Sequence, residues 1–394
     1  MNVCIIRHSY YPEIPPTKRN AEALVSHGYK VDIICLRKKG QKSQEIINQV
    51  TVHRLPIEHL RAGKLRYVYE YTLFFILASL KLSRLFLTRK FKVVEIDGMP
   101  DFLVFTTLPI RLMGTRVIFN MLDSVSQVFL DRFKAKSNSI MMRIFKMVEK
   151  ASTNYVDHLL FANNLAREIH IKNQGVNSSK TSVVMNVPDE EMFHPRNSNQ
   201  ESEKTSQFQV INHGSLLERY GVQTLIQTVP LLIPHIPEIK VNIVGDGEYR
   251  SQLQELVKDL RVDDYIHFTG FVPIEMIPDL ISQSDIGVVP ILMHMQPTKL
   301  FEYVAMGKPV IASDFPAMRS CFGDDSVRYY TPGDIQELAR CILELYQAPE
   351  KRAALASASM NIYQQYRWST MKYEYLKVFD KLTNRVVPAV PEEK

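Results

Sequence analysis

Three stretches in the second half of the chain combine residue types that can hold a phosphate and a ribose. The stretch PTKLFEYVAMGKPVIASD, beginning at Pro297, sets a Thr-Lys pair at the head of an apolar helical pattern and one acid, Glu302, a turn further on. Pro297 breaks the chain before this helix and Thr298 is placed to cap it, so free backbone N–H groups and Lys299 converge where negative charge would sit. Glu302 lies near the same mouth, where a carboxylate can accept hydrogen bonds from a ribose diol. A first-turn acid favoured by the helix dipole is the plainer alternative. Gly307 closes the helix so that KPVIAS can return as a strand.

The stretch NHGSLLERYGVQTLI places Gly214 close to a strand end and Arg219 just before Gly221 and a helix. A small residue lets the backbone approach a phosphate, and a guanidinium holds two of its oxygens, so a diphosphate is the natural guest. The third stretch, IVGDGEYRSQL, is a G-x-G turn (Gly245, Asp246, Gly247) feeding a helix whose start attracts anions. Arg250 occupies the third glycine position of a dinucleotide fingerprint, which weakens a nicotinamide reading and leaves an ordinary tight turn as the alternative.

Each of these loops needs a strand before it, and the chain supplies them. NVCIIRH, KVDIICL, KVVEID, RVIFNML and DHLLFA alternate with helical patterns, one over Asn20–Ser26 and a long aromatic one over Arg66–Lys92. After a polar linker from Arg196 to Gln207 a second series follows: FQVINHG, KVNIVGDG, IHFTGF, DIGVVP, KPVIAS and VRYYTP. This alternation predicts an α/β chain of two Rossmann-like, doubly wound parallel-sheet domains facing a central cleft. The expected domains are 1–195 and 207–368, with a C-terminal helix at about 369–388 packing back on the first.

The 394 residues exceed one ordinary core, and 45% hydrophobic with 23% charged residues gives a globular composition. Cys4, Cys35, Cys321 and Cys341 form no C-x-x-C pair and have no histidines at zinc-like spacing. They read as small buried hydrophobes in a reducing, cytoplasmic compartment, and no metal site or cofactor is expected. The N-terminus lacks the pattern of a secretory signal. Residues 1–190 carry 28 Lys and Arg against 16 Asp and Glu, a net +12, and the remainder is acidic. The Arg66–Lys92 segment has apolar residues on most faces and a basic collar of Arg61, Lys64, Arg66, Lys81, Arg84, Arg89, Lys90 and Lys92. It reads either as a helix packed on the sheet with a solvated basic side or as a surface resting on anionic headgroups, and not as a membrane span, because Glu70, Lys81 and Arg84 interrupt it.

In this order and spacing, the three donor stretches and the GFVP loop between them resemble the donor domain of family-4 retaining glycosyltransferases with the GT-B fold. YYPEIPPTKRNAEALVSHGYKVDIICL and FANNLAREIHIKNQGVNSSKTSVVMNVPDEEMFHP resemble the acceptor domain of the same family, so the likeness spans nearly the whole chain. The resemblance implies metal-independent sugar transfer from a nucleotide-diphosphate sugar, a co-substrate and not a cofactor, to an acceptor hydroxyl with retention at the anomeric carbon. The basic first half, for its part, suits a phosphate-bearing acceptor, so a glycan or lipid-linked acceptor of cell-surface polysaccharide or glycolipid synthesis is expected at the inner membrane face, with an anionic membrane surface as a further partner and no nucleic acid. By position, Glu302 matches the acid that grips the ribose, Val272 the backbone that meets the base, and Arg219 the phosphate clamp.

Departures from the family pattern cluster at the cleft. Ser215 stands where many members have an arginine, Tyr220 where a lysine is common, and His294 at the position of a first acid eight residues before Glu302. In RVIFNMLDSVSQVF, Asn120 and Leu122 replace an acid and a histidine, while Asp123 remains as the candidate catalytic acid, with a turn or cap role as its alternative. A glycosyltransferase-like subunit that has lost catalysis and binds a partner enzyme or nucleotide is therefore the second reading, and a sugar-nucleotide epimerase of similar architecture the third.

Overall fold

The computed structural model describes residues 1–58, 64–122, 139–195 and 207–385. They divide into two units, one of Met1–Asn186 with the segment from Met371 onward, the other Val187–Thr370. The first boundary thus falls before the expected 195: Val187 and Phe193 are buried, and Pro195 lies beside Gly307, so the residues after Asn186 belong with the second unit. Of the expected linker, only Gln207 lies within the described residues.

The first unit is built on eight strands: β1 (Asn2–Ile6), β2 (Lys30–Leu36), β3 (Gln44–Ile47), β4 (Val50–Leu55), β5 (Val93–Asp97), β6 (Arg116–Met121), β7 (His158–Phe161) and β8 (Thr181–Val183). Their order is β3-β4-β2-β1-β5-β6-β7-β8, parallel throughout except for the β3–β4 pair. The β3–β4 hairpin, absent from the sequence reading, turns through Asn48 and Gln49 at φ 47° and 64°. Two consecutive positive φ angles make the twisted turn that hairpins prefer, here without the glycine that marks it in a sequence. The helix after β1 begins at Pro15 and not near Asn20, because proline is tolerated in a first helical turn whose N–H groups have no partner anyway.

The Lys64–Arg89 helix buries Phe74, Ala78, Leu82 and Phe86, one residue every turn, in the same core as Ile34, Leu36, Leu55 and Phe91. By length and composition alone it is apolar enough to cross a membrane, a property that core helices share. Glu70 is buried against His8 at 3.1 Å instead of interrupting an apolar face. At the chain's end, the Trp368–Thr383 helix docks on the first unit: Tyr375 donates to Glu95 (2.5 Å) and Tyr29 donates to Asp380 (2.7 Å).

The second unit holds β9 (Phe208–His213), β10 (Ile239–Val244), β11 (Ile266–Gly270), β12 (Ile286–Val289), β13 (Val310–Ser313) and β14 (Arg328–Tyr330), all parallel in the order β11-β10-β9-β12-β13-β14. All six follow the sequence reading. Strand order reverses between β9 and β12, and in open α/β sheets ligands bind outside the carboxyl ends of the strands at such a point. The ends of β9 and β12 and the loops after them are laced together there: Asn212 donates to the Val288 carbonyl (2.8 Å) and the Leu292 N–H to the Arg219 carbonyl (2.9 Å).

Candidate functional site

The site grows from the end of β9. Gly214 has φ 117°, a conformation that costs a side-chain-bearing residue heavily, and a Cβ there would lie 3.5 Å from Lys299 Nζ, in the space over the ammonium. Lys299 is the second residue of the Thr298–Ala305 helix. Its ammonium is almost wholly shut from water and has no hydrogen-bond partner among the described residues, and burial lowers its pKa from 10.5 to about 8, opposed by the nearby Glu302 charge. Within 5.9 Å of Lys299 Nζ lies the centre of the Tyr220 ring, and the Arg219 guanidinium sits 5.3 Å from the same centre. Two cations thus flank one aromatic ring, with Arg219 exposed. That arrangement attracts an anion with more than one charged group.

Glu302 is held by a residue the sequence reading passed over. His213, the last residue of β9, bonds Glu302 Oε2 through Nε2 and meets the Tyr303 hydroxyl at Nδ1 (2.9 Å). Every group is satisfied when the Tyr303 hydroxyl accepts from the His213 backbone N–H (3.1 Å) and donates to Nδ1, leaving Nε2–H to donate to the carboxylate. One carboxylate oxygen is thereby oriented by His213. Both side chains are largely buried, and burial pushes the Tyr303 hydroxyl well above its usual pKa. The available signal was that His213 directly precedes Gly214 at a strand end.

Other expectations need correction. Thr298 does not cap its helix: Pro297 stands at the cap position with extended backbone, no side-chain cap bond forms, and Thr298 is the first helical residue, half-buried. The chain enters through a proline whose φ already suits the turn. Gly307 does end the helix, at φ 70°, with its N–H on Val304 and that of Lys308 on Tyr303, the paired bonds of a left-handed helix stop.

The G-x-G turn serves loop packing. A Cβ on Gly245 would meet the Gly214 carbonyl oxygen at 2.0 Å and one on Gly247 the Leu216 carbonyl oxygen at 2.2 Å, so these glycines let the β10 loop lie against the β9 loop. The helix starts only at Arg250, and Asp246 is engaged by the Gly247 N–H (2.8 Å) and by Arg250 (3.2 Å). Ser215 is exposed beside Gly214; Val272 is half-buried, next to a Phe271 ring that is 80% exposed. His294 packs edge-on against Phe315 at 4.8 Å. The structure therefore brings Gly214, Arg219, Lys299 and Glu302 together; Asp123 lies outside the described residues.

In the first unit the strand ends at the β1/β5 reversal are closed by their own side chains. Arg7 pairs with Asp97 (2.8 Å), Thr17 donates to the same carboxylate (2.5 Å), and Asn120 bridges Glu95 (3.0 Å) and Asp97 (3.2 Å). Glu95 is fully buried and its pKa is pushed up to about 8, first by desolvation and then by the Asp97 charge. Leu122 stands 3.8 Å from where a Cβ on Gly98 would be.

Two family models match the chain: "Glycosyl transferases group 1" over residues 207–348 and "Glycosyl transferase 4-like domain" over 17–186. Among curated proteins it is 27% identical over 145 residues to the amylovoran biosynthesis glycosyltransferase AmsK of Erwinia amylovora, 35% of this chain and 36% of that protein. It is 21% identical to the phosphatidylinositol N-acetylglucosaminyltransferase gpi3 subunit of Schizosaccharomyces pombe, over 92% of this chain and 76% of that one. A match to the phosphatidyl-myo-inositol mannosyltransferase of Mycolicibacterium smegmatis is 25% identical over 42% of each chain. The chain thus spans well under half the length of two of these three relatives. Among solved structures, sucrose-phosphate synthase from Thermosynechococcus elongatus superposes with a TM-score of 0.79 at 16% identity, over 98% of this chain and all of that one. Anabaena HepE in complex with UDP-glucose gives 0.72 at 15% identity, over 97% of this chain and 100% of that one.

Proposed function

We infer, from a chain that belongs to the group 1 glycosyl transferases and has the GT-B fold, that it moves a sugar from a nucleotide-diphosphate sugar to an acceptor hydroxyl with retention at the anomeric carbon. The observation that carries this reading is the unpartnered Lys299 ammonium at a helix start, with Arg219 beside it and a histidine-held Glu302 one turn on. Lys299 and Arg219 take the diphosphate, and their charge offsets the negative charge that grows on it as the sugar leaves. Glu302 accepts from the ribose hydroxyls with its free oxygen. The exposed Phe271 ring beside Val272 offers a face for the base. No step in this scheme calls on a divalent ion.

The acceptor we propose is a glycan or lipid-linked glycan of cell-surface polysaccharide or glycolipid synthesis, met at the cytoplasmic side of a membrane. In support, the relatives include proteins named for amylovoran biosynthesis and for phosphatidylinositol glycosylation. Calorimetry with UDP-, GDP- and ADP-sugars, followed by turnover of the tightest binder with and without a chelator, tests the reading. It expects binding that Lys299→Met and Glu302→Ala each weaken strongly, and turnover indifferent to the chelator. Binding that survives both substitutions ends it.

One observation favours a second reading, that of a partner subunit without catalysis. Leu122 stands where family members carry histidine, and the buried acids of β5 are consumed by internal bonds. Tight nucleotide-sugar binding with no turnover on any acceptor would decide for it.

A further inference from the structure

The face of the first unit that carries the Lys64–Arg89 helix has an outer surface unlike that of a soluble enzyme. On this helix Tyr69, Ile76, Leu80 and Leu87 are exposed, the two leucines at 63% and 68%, and their spacing of seven, four and seven residues puts them on one stripe. The 3-10 helix Asp101–Thr107 packs between this helix and the Ile140–Tyr155 helix, through Phe75 on Phe102 (5.9 Å) and Phe105 on Tyr155 (5.0 Å). Its continuation exposes Leu108, Leu112 (85%) and Met113. The Ile140–Tyr155 helix exposes Ile140 (78%), Ile144 and Met147, again one stripe. Three neighbouring elements thus present apolar side chains to solvent on one layer of the fold, far more than isolated surface leucines would need.

The charges on the same elements have one sign. In residues 64–92, 101–116 and 139–155 the acids are Glu70, Asp101 and Glu149, and all three are buried, Glu70 against His8 and Glu149 against His170. The bases point outward: Arg66, Arg84, Lys90, Arg143, Lys146 and Lys150 are exposed, the last three forming a row alongside Ile140, Ile144 and Met147. A second copy of this chain would set like charges against like. An anionic bilayer takes both features at once, the apolar side chains entering the headgroup layer and the bases meeting phosphates. Spanning is a poorer solution, because it would strip Phe74, Ala78, Leu82 and Phe86 from the sheet core and expose Glu70.

We propose that this layer, formed by the outward faces of the Lys64–Arg89, Leu108–Arg111 and Ile140–Tyr155 helices, docks the protein flat on an anionic lipid bilayer. It gives a place to the membrane partner of the functional reading, but its residues are separate from those of the nucleotide site, and each can fail alone.

The test is co-sedimentation of the full chain with vesicles of phosphatidylcholine alone or with 30% phosphatidylglycerol, a composition chosen to give the surface charge of an anionic leaflet. The parent chain is expected to bind the anionic vesicles, to bind less as salt rises, and to leave the neutral ones largely unbound. Arg143→Ser with Lys146→Ser should weaken binding about 25-fold, at roughly fivefold per charge. Leu80→Glu with Leu87→Glu should weaken it about tenfold or more. All four side chains are exposed, so UDP affinity and thermal unfolding serve as controls and should not move. Equal binding to both vesicle types, or parent-like binding by both double variants, overturns the proposal. So does a concentration-dependent dimer in light scattering that Leu80→Glu with Leu87→Glu abolishes while vesicles stay unbound; the face would then join two copies.

Discussion

The two sheets share a plan, and their strand ends treat charge in opposite ways. At the β9/β12 reversal of the second unit the cations are left over: among the described residues the buried Lys299 ammonium has no hydrogen-bond partner and Arg219 has no ion pair. At the β1/β5 reversal of the first unit the cation is used up, with Arg7, Thr17 and Asn120 all on Asp97 and Tyr375 and Asn120 on Glu95. A buried charge without a partner is costly to the free protein and tolerable where a ligand of opposite charge relieves it. The contrast makes the second unit the expected anion binder and the polar cluster of the first a structural network.

The sharpest way to break the contrast is the same substitution in both places. Lys299→Met should cost about 100-fold in UDP affinity by calorimetry, because a charge-assisted contact to the diphosphate is lost. It should also make the unliganded protein more stable by up to about 3 kcal/mol near neutral pH, since a strained ammonium is removed. Arg7→Met should do the reverse, lowering stability by about 3 kcal/mol or more by stranding Asp97, with UDP affinity within about threefold of the parent. If Arg7→Met is harmless to stability, the first-unit cluster is not the closed network described.

A smaller effect sharpens the role of His213. His213→Ala should raise Kd for UDP about tenfold, at about 1.4 kcal/mol for one lost orienting bond, while His213→Gln, which keeps a donor, recovers part of it. If the two variants behave alike, His213 acts only through packing.

Acidity gives two further tests. Lys299 loses its proton near pH 8, so UDP affinity should fall by up to about tenfold per unit above that pH, a decline that Lys299→Met abolishes. Because its folded pKa is lowered, the unfolded chain binds more protons between about 8 and 10.5, and the stability gap between parent and Lys299→Met should close across that window. Glu95 has the opposite sign. Its folded pKa is raised, so the native state holds an extra proton between about 4.5 and 8, and stability should decline with rising pH over that range. Glu95→Gln should flatten that decline in thermal scans; an unchanged slope would mean that another group titrates there.

Much of this molecule was legible in advance where the physics is local. The six strands of the second unit, the Gly307 stop and the placement of Glu302 and Lys299 on one helix follow from side-chain periodicity and turn chemistry within a few residues. The β3–β4 hairpin was not legible, because Asn48-Gln49 takes a turn conformation without its usual glycine. Nor was the packing duty of Gly245 and Gly247, whose short sequence looks the same whether a phosphate or another loop approaches.

What the sequence determined by itself is the succession of strands and helices and the kinds of residue that each strand end offers, since a repeat of 2 or 3.6 and a glycine at a turn are properties of neighbours along the chain. Tertiary structure alone decided which of those residues are spoken for. His213 meets Glu302 across 89 residues and Tyr375 meets Glu95 across 280, while the Lys299 ammonium meets no hydrogen-bond acceptor among the described residues. A partner, or the want of one, and the acidity that follows from it are set by what packing brings within 3 Å and shuts away from water.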